Sequence, residues 1–185
     1  LALEVMAGRI MDAILSLEPL ALEKKGAIFL SDNGAKELKL IVSRNFGDDQ
    51  VAGCGVVRYG ECLCGLAAMK EQTVLSDNNT KDKRHTRIYR DAKEHGHVIL
   101  PLKSRNKALG VLCLYLPRET KPSDEELHLY ASIADIIAVA MQNAVNHRQV
   151  AMLAQSLDSS NDVIIITDVE SRITHANPEA LRQLG

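Results

Sequence analysis

The segment His97-Val-Ile-Leu-Pro-Leu-Lys103 and the segment Ala108-Leu-Gly-Val-Leu-Cys-Leu-Tyr-Leu116 together decide the fold. Both are rich in aliphatic and β-branched residues, and each has the length of a strand. The polar residues 104–107 between them predict an antiparallel hairpin at this point of the chain. Pro101 has no N–H to donate, so we expect a bulge or a position without a ladder hydrogen bond there.

The residues before this hairpin predict a second hairpin and a helix. The runs Gly26–Ser31 and Leu38–Ser43 enclose Asp32-Asn33-Gly34, which is a strong turn signal. A helix is predicted over Leu3–Leu17, and Pro19 is expected to end it. Apolar residues at helical spacing form the predicted buried side of this helix: Val5, Met6, Ile10, Ile14 and Leu17.

The middle of the chain carries weaker patterns. We expect Phe46–Val57 to be irregular, because glycines interrupt it. Leu66–Glu71 consists of good helix formers and predicts a short helix. Thr73–Leu75 predicts a short strand, whereas the polar and charged run Ser76–Glu94 predicts a loop.

A long helix is predicted from Ser123 to about Ser156. Ser123 as N-cap and Glu126 three residues later form a capping box. Steps of three and four residues then follow along one seam: Leu127, Tyr130, Ala134, Ile137, Met141, Ala144, Arg148 and Ala151. Such a seam favours a coiled coil between identical subunits, although the polar Arg148 weakens it.

The alternative is that this helix packs first on its own sheet and projects only its later half. Both arrangements can hold together, because a second apolar face is available at Ile133, Ile136 and Ala140. We therefore expect a homodimer through the long helix.

The order of these elements resembles that of a GAF domain over residues 1–143. The segments that carry the resemblance are Gly60–Ala68 and the hairpin His97–Leu116. It implies an α/β fold of the α+β type: an antiparallel sheet flanked by helices, with the long helix at its C-terminal end. The amino-terminal and long helices are expected on one face of the sheet. Residues 46–58 and the short helices are expected on the other face, with a ligand pocket beneath them.

Residues 161–185 resemble the start of a PAS domain, truncated after about the first third of that fold. An apolar strand ends in Asp168, a second strand covers Arg172–His175, and Asn177 caps a helix that Pro178 begins. Ser171 stands where such domains often carry Gly. Residues 144–160 would then be a signalling-helix linker between the two domains.

Composition excludes several classes of protein. The net charge of −2, the pI of about 6.3 and the aromatic content of 3% argue against nucleic-acid binding. The longest strongly apolar stretch, Ile133–Met141, is too short to span a membrane. We expect a cytoplasmic piece of a longer protein, whose membrane tether elsewhere stays an open possibility. Its four cysteines are expected to be free thiols.

Cysteine and histidine residues form the sharpest chemical signal. Cys62 and Cys64 flank one leucine, His95 and His97 flank one glycine, and His85 precedes them in the loop. Residues two apart on a strand share a face, so His95 and His97 are predicted to lie together. Thiolates and imidazoles are ligands of transition metals. We predict a ligand site at Cys62, Cys64, His95 and His97, and a metal site at these residues plus His85.

Two other roles stay open for these residues. Cysteine is often a small apolar core residue, and a thiol can sense redox state without any metal. Cys54 and Cys113 could join the cluster, although the apolar strand around Cys113 favours a core position.

The resemblance implies a sensory module rather than an enzyme, joined in the same chain to an output such as a histidine kinase or a diguanylate cyclase. No catalytic motif contradicts this. The cofactor is not identified beyond a transition metal or a small molecule. The alternatives are a dimerisation module without ligand and a thiol-based redox enzyme.

Overall fold

The computed structural model describes residues 3–17, 20, 22–89, 93–104 and 107–184. Its helices are α1 (Leu3–Leu15), α2 (Asp48–Cys54), α3 (Cys62–Lys70), α4 (Asp124–Asp158) and α5 (Pro178–Leu184). Its strands are β1 (Gly26–Asp32), β2 (Glu37–Arg44), β3 (Val56–Arg58), β4 (Val74–Ser76), β5 (His95–Ser104), β6 (Lys107–Pro117), β7 (Ile165–Thr167) and β8 (Ile173–Ala176). Pro19, the predicted end of the first helix, and residues 105–106 of the predicted turn lie outside the described residues.

The chain divides into two compact units, residues 1–142 and 143–185. In the described part of the first unit, a six-stranded antiparallel sheet has the order β3-β2-β1-β6-β5-β4. The predicted central hairpin is confirmed, with His97 opposite Tyr115 and Ile99 opposite Cys113. Pro101 lies beyond the part of β5 that pairs with β4, and the register shifts directly after it, at Leu102/Lys103.

The two faces of this sheet carry different layers, because alternate residues of each strand point to opposite sides. On one face, α1 and α4 cover even-numbered residues of the central strands, among them Val98, Leu100, Leu112 and Leu114. On the other face, α3 covers odd-numbered residues such as Ile99, Val111 and Cys113. The predicted distribution of helices over the two faces is confirmed. The same alternation along β5 and β6 places His97 and Cys113 on the α3 face.

Two local predictions are wrong. The region Phe46–Val57 is not irregular throughout, since it contains α2 and the start of β3. Asp48 and Asp49 in the first turn of α2 suit the helix dipole, and the glycines that suggested irregularity lie at its ends and in its last turn. The predicted buried side of α1 is wrong in part. Ile14 is buried and Met6 and Ile10 pack against the core as predicted, whereas Val5 and Leu17 are about half exposed. The other buried residues of α1 are Ala7, Gly8 and Met11.

The long helix α4 confirms the predicted capping box. The backbone N–H of Ser123 donates to Glu126 Oε2 at 2.8 Å, and the N–H of Glu126 donates to Ser123 Oγ at 3.2 Å. In its first half, the predicted seam faces the chain's own sheet. Tyr130, Ala134 and Ile137 belong to the same core as the sheet face described above. The first half of the helix therefore packs intramolecularly, as the alternative prediction has it.

The second unit contains β7, β8 and α5. β7 pairs with β8 in antiparallel fashion, from Ile165–Ala176 to Thr167–Ile173. Asn177 caps α5 as predicted, because its Oδ1 accepts the N–H of Ala180 at 3.0 Å. Ser171 has a φ of +63°, a left-handed conformation that glycine adopts without strain. Among the described residues, no helix has both the length and the apolar character that a membrane span requires.

Candidate functional site

The Cys-Leu-Cys-Gly motif is held at the beginning of α3 by a close approach between backbones. Gly65 lies against the carbonyl of Arg58, and a Cβ at residue 65 would sit 2.0 Å from that oxygen. The N–H of Gly60 also donates to the carbonyl of Gly65 at 2.8 Å. Leu63 is buried in the core of the α3 face, with Cys62 and Cys64 on either side of it. The close packing at Gly65 thus fixes the position of the first turn of α3, which carries both thiols.

A small cavity of about 30 Å³ lies between the sheet and α3, and we call it the inner cavity. Its volume admits one or two waters or a single ion, but no organic ligand. Thiols, imidazoles, aromatic rings, a few apolar side chains and one arginine line it: Phe29, Phe46, Cys54, Cys62, Leu63, Cys64, His85, Arg87, Tyr89, His97, Ile99, Cys113 and Tyr115.

His95 and His97 lie side by side on β5 and face each other through their Nε2 atoms, which are 3.0 Å apart. His95 Nδ1–H donates to the carbonyl of Lys93 at 2.6 Å. His97 Nδ1 lies 3.8 Å from Cys113 Sγ. Each ring therefore has a neighbour at Nδ1 that orients it and turns Nε2 towards the other ring.

His85 joins these two residues from the loop that follows β4. Its backbone N–H donates to the carbonyl of Asp82 at 2.9 Å, in a local turn. Its ring is stacked on the ring of His97, with centroids 5.1 Å apart and an interplanar angle of 19°. One ligand nitrogen from each of His85, His95 and His97 lies within 4.8 Å of the others. We call these residues the histidine cluster.

The surroundings of the histidine cluster favour the neutral form of its imidazoles. Burial lowers the pKa of all its members, most strongly that of His97, whose pKa falls well below the ordinary value. The nearby Lys25 ammonium adds to this effect at His95 and His97. Neutral imidazoles keep a free lone pair, which is the form that binds metals.

Two thiols at the inner cavity, those of Cys54 and Cys64, have a raised pKa. The neighbouring Cys113 thiol and burial raise the pKa of the Cys64 thiol well above its ordinary value. Burial likewise raises the pKa of Cys54, whose Sγ shares a hydrogen bond of 2.9 Å with Tyr89 Oη. A nucleophilic cysteine requires the opposite shift. This environment disfavours thiol catalysis at Cys54 and Cys64.

A second and larger cavity of about 490 Å³, which we call the outer cavity, has His97 among its lining residues. Its volume falls within the range of small-molecule sites. Charged groups of both signs line it, including Lys81, Asp82 and Arg84. Asp82 is already paired with Arg84 at 2.7 Å. His97 is thus the residue that lines both cavities.

The structure brings the predicted site residues into one region. Cys62, Cys64, His85 and His97 line the inner cavity, and His95 contacts it through His97. Cys62 and Cys64 lie beside the histidine cluster rather than in it. Sequence reasoning did not single out Tyr89 and Tyr115, and it favoured a plain core position for Cys113. Tyr115 could have been found from the hairpin register, which places it opposite His97.

Comparison with known proteins identifies the family. The model of the GAF domain family matches residues 1–142. The chain belongs to the GAF domain family, as the sequence resemblance predicted. No curated protein matches the chain significantly.

Solved structures show the same fold at low sequence identity. The GAF domain of an Acinetobacter phosphoenolpyruvate-protein phosphotransferase has a TM-score of 0.65 and 17% identity, over 79% of this chain and 86% of that one. The second GAF domain of DevS from Mycobacterium smegmatis has a TM-score of 0.61 and 17% identity, over 80% and 99%. Free methionine-R-sulfoxide reductase from Neisseria meningitidis, solved with its substrate, has a TM-score of 0.64 and 15% identity, over 78% and 81%.

Proposed function

We propose that this chain is the sensory part of a bacterial signal-transduction protein. In this proposal, the inner cavity receives a metal or a redox signal, or the outer cavity receives a small ligand, and α4 relays the resulting state. The observation that carries the proposal is the set of thiols and imidazoles that lines a cavity between the sheet and α3. A domain that served only as a scaffold would gain stability from apolar side chains at these buried positions.

The position of the inner cavity suits a relay. His97 and Cys113 lie on β5 and β6, whose opposite face packs against α4 through Val98, Leu112 and Leu114. A small shift of these strands on ligand binding would change the packing of Tyr130 and Ile137 on that face. Helix shifts of about 1–2 Å at subunit interfaces are a common means of signalling.

The relay requires a partner helix, and α4 offers an apolar face to one. Ile136 is 70% exposed and Val139 is 57% exposed, although both are large apolar residues. One heptad register of α4 contains five large apolar residues: Leu129, Ile136, Val139, Val150 and Leu153. Asn143 and Asn146 occupy the two positions of the same register between Val139 and Val150. Asparagine at such positions favours a defined register and two strands. We propose a parallel homodimer through this face, which differs from the buried seam.

The remaining segments complete the proposal. Residues 144–160 would be a signalling-helix linker, and residues 161–185 would be the first part of a PAS domain. The left-handed backbone of Ser171, where such domains often carry Gly, supports this assignment. The output that we propose further along the same chain is a histidine kinase, with a diguanylate cyclase as the second choice. We place the protein in the cytoplasm and propose no nucleic-acid partner.

An enzymatic role is the weaker candidate. Two structural neighbours are free methionine-R-sulfoxide reductases. However, thiol chemistry needs a cysteine with a lowered pKa, and burial raises the pKa of Cys54 and Cys64. We propose that this fragment has no catalytic activity of its own.

The sensory role is tested first by elemental analysis and an absorbance spectrum of protein purified without chelators. We expect a bound metal or chromophore in the wild type. A Cys62→Ser, Cys64→Ser double variant shows whether the thiols hold it. An empty and colourless wild type that also binds no added metal or small ligand would favour the alternative, a dimerisation module with a collapsed pocket.

The relay is tested by the mass of the protein in solution. An Ile136→Asp, Val139→Asp variant is expected to be monomeric in light scattering, whereas the wild type is dimeric. Ala131→Asp, on another exposed part of α4, is the matched control and should leave the dimer intact. A monomeric wild type would contradict the proposed dimer.

A further inference from the structure

We propose that the histidine cluster is a binding site for one divalent transition-metal ion of the zinc class, with His85, His95 and His97 as its protein ligands. This inference rests on the sensory role proposed above, since it names what the site receives. It also differs from the sequence-based prediction, because Cys62 and Cys64 are not among the ligands.

His95 and His97 are oriented with their Nε2 atoms towards each other. The carbonyl of Lys93 accepts the Nδ1–H of His95, so in the neutral ring the lone pair is on Nε2 and points at His97. The two Nε2 atoms are 3.0 Å apart. Two nitrogens bound at about 2.0–2.1 Å to one tetrahedral ion lie roughly 3.3 Å apart. Only a small outward movement of the rings would therefore admit an ion.

The Nδ1 atoms of His95 and His97 have neighbours that suit metal-bound histidines. Histidine ligands of metals usually donate their other N–H to a carbonyl, a carboxylate or a similar acceptor. His95 has the Lys93 carbonyl, and His97 has the Cys113 sulfur at 3.8 Å. In the empty site, His97 carries its proton on Nε2. An ion held by His97 Nε2 would require the ring proton on Nδ1, where Cys113 Sγ would accept the N–H hydrogen bond.

His85 carries an unpaired polar atom. Its Nδ1 is buried and has no hydrogen-bond partner among the described residues. Leaving such an atom unpaired destabilises a folded protein. A bound ion close to the cluster would supply the missing partner. His85 is also held in place by the Asp82 carbonyl and by stacking on His97, so it is already positioned near the other two rings.

The ligand type indicates the kind of ion. Three imidazoles suit Zn²⁺, Cu²⁺, Fe²⁺ and Ni²⁺ rather than Mg²⁺ or Ca²⁺, which prefer oxygen ligands. Three protein ligands leave one coordination position of a tetrahedral ion open. His97 also lines the outer cavity of about 490 Å³.

The test is a titration of chelator-treated protein with Co²⁺, whose visible absorption reports ligand type and number, and a competition with Zn²⁺. We expect one ion per chain and an imidazole-type spectrum without a sulfur charge-transfer band. His85→Gln and His97→Gln should each weaken Co²⁺ binding on the order of 100-fold or more, since each removes a ligand. The control is His128→Gln, a substitution at an exposed residue of α4, which should bind Co²⁺ as the wild type does.

Circular dichroism spectra guard against a variant that merely unfolds. His85 lies in a loop, so His85→Gln is expected to keep the fold even if His97→Gln does not. The proposal is overturned by a wild type that does not bind Co²⁺, by a folded His85→Gln variant that binds it unchanged, or by a sulfur charge-transfer band lost in the Cys62→Ser, Cys64→Ser variant. If Co²⁺ binds as expected but the dimer and α4 do not respond to it, the metal site stands and the proposed relay fails.

Discussion

Gly65 approaches the carbonyl of Arg58 so closely that a Cβ at residue 65 would sit 2.0 Å from its oxygen. Real Cβ atoms do not come this close to backbone, so α3 would have to move away from β3. Gly65→Ala should therefore lower the free energy of unfolding by about 3 kcal/mol or more, although alanine favours helix by about 1 kcal/mol. Urea unfolding measures this difference.

Gly34→Ala is the control for this prediction. Gly34 lies in the exposed turn after β1, and an added Cβ there would meet Asp32 Oδ1 at 3.5 Å, an ordinary contact. The unfolding free energy of the Gly34→Ala variant should stay within about 0.5 kcal/mol of that of the wild type. Equal effects of the two substitutions would show that the contact with Arg58 is not what makes glycine necessary.

Two buried tyrosines should respond oppositely to loss of the hydroxyl. Tyr130 Oη is buried and has no hydrogen-bond partner among the described residues, so Tyr130→Phe should leave stability unchanged or raise it by about 1 kcal/mol. Tyr115 Oη accepts the side-chain N–H of the buried Gln50 at 2.6 Å. Tyr115→Phe should lower stability by about 1–3 kcal/mol. Thermal unfolding of both variants under one condition compares them directly.

The ion pair between Asp12 and Arg44 should make stability depend on acid. Arg44 Nε donates to Asp12 Oδ1 at 2.6 Å and its Nη2 donates to Oδ2 at 2.9 Å, which joins α1 to the end of β2. These hydrogen bonds hold the pKa of Asp12 below its ordinary value of 3.8. A lowered folded-state pKa contributes stability that is present above pH 3.8 and is lost as pH falls through the folded-state value.

Asp12→Asn should therefore be less stable than the wild type near pH 7, and the difference should disappear at low pH. Because the pair is exposed, the difference is expected to be small and to shrink in high salt. Asp135→Asn is the control, since Asp135 is exposed and makes no described ion pair. A difference for Asp12→Asn that persists at low pH would mean that the carboxylate charge is not responsible.

The buried side chain of Asn177 should be essential to the second unit. Its Nδ2 donates to the carbonyl of Asp162 at 2.9 Å and to that of Leu157 at 3.2 Å. Its Oδ1 accepts the N–H of Ile164 at 2.9 Å and that of Ala180. Asn177→Ala would leave these backbone groups unpaired, at a cost on the order of 2–4 kcal/mol.

Hydrogen exchange can locate this effect. In Asn177→Ala, amides of 162–184 should exchange at least about 10-fold faster, while those of β1 and β6 should keep their protection. Asn161→Ala, an exposed neighbour, should leave both sets unchanged. Unchanged exchange in Asn177→Ala would contradict a central role for this side chain.

Local chemistry was sufficient to predict much of the fold. The Asp32-Asn33-Gly34 turn, the capping box at Ser123 and the Asn177 cap each depend on interactions within a few residues, and the structure confirms all three. The helix α2 could not be predicted as readily. Its glycines at Gly47, Gly53 and Gly55 disfavour a helix, and α2 forms because tertiary packing outweighs its propensity.

The candidate site was predictable only in part. The alternation of β5 placed His95 and His97 together, because residues two apart on a strand share a face whatever surrounds them. His85 was a candidate by residue type alone, since a loop has no period from which a direction can be computed. The predicted core position of Cys113 is confirmed, but the apolar run around it gave no sign that its sulfur lies beside His97.

The sequence by itself determined the elements of this GAF domain: their periodicities, turns and caps arise from interactions between residues close along the chain. Only the tertiary structure decided which of these elements meet. The pairing of β5 with β6 set Tyr115 opposite His97, and the packing of the loop against the sheet brought His85 onto them. Contacts between distant residues depend on three-dimensional packing, and this packing is what gathers the histidine cluster beside the inner cavity.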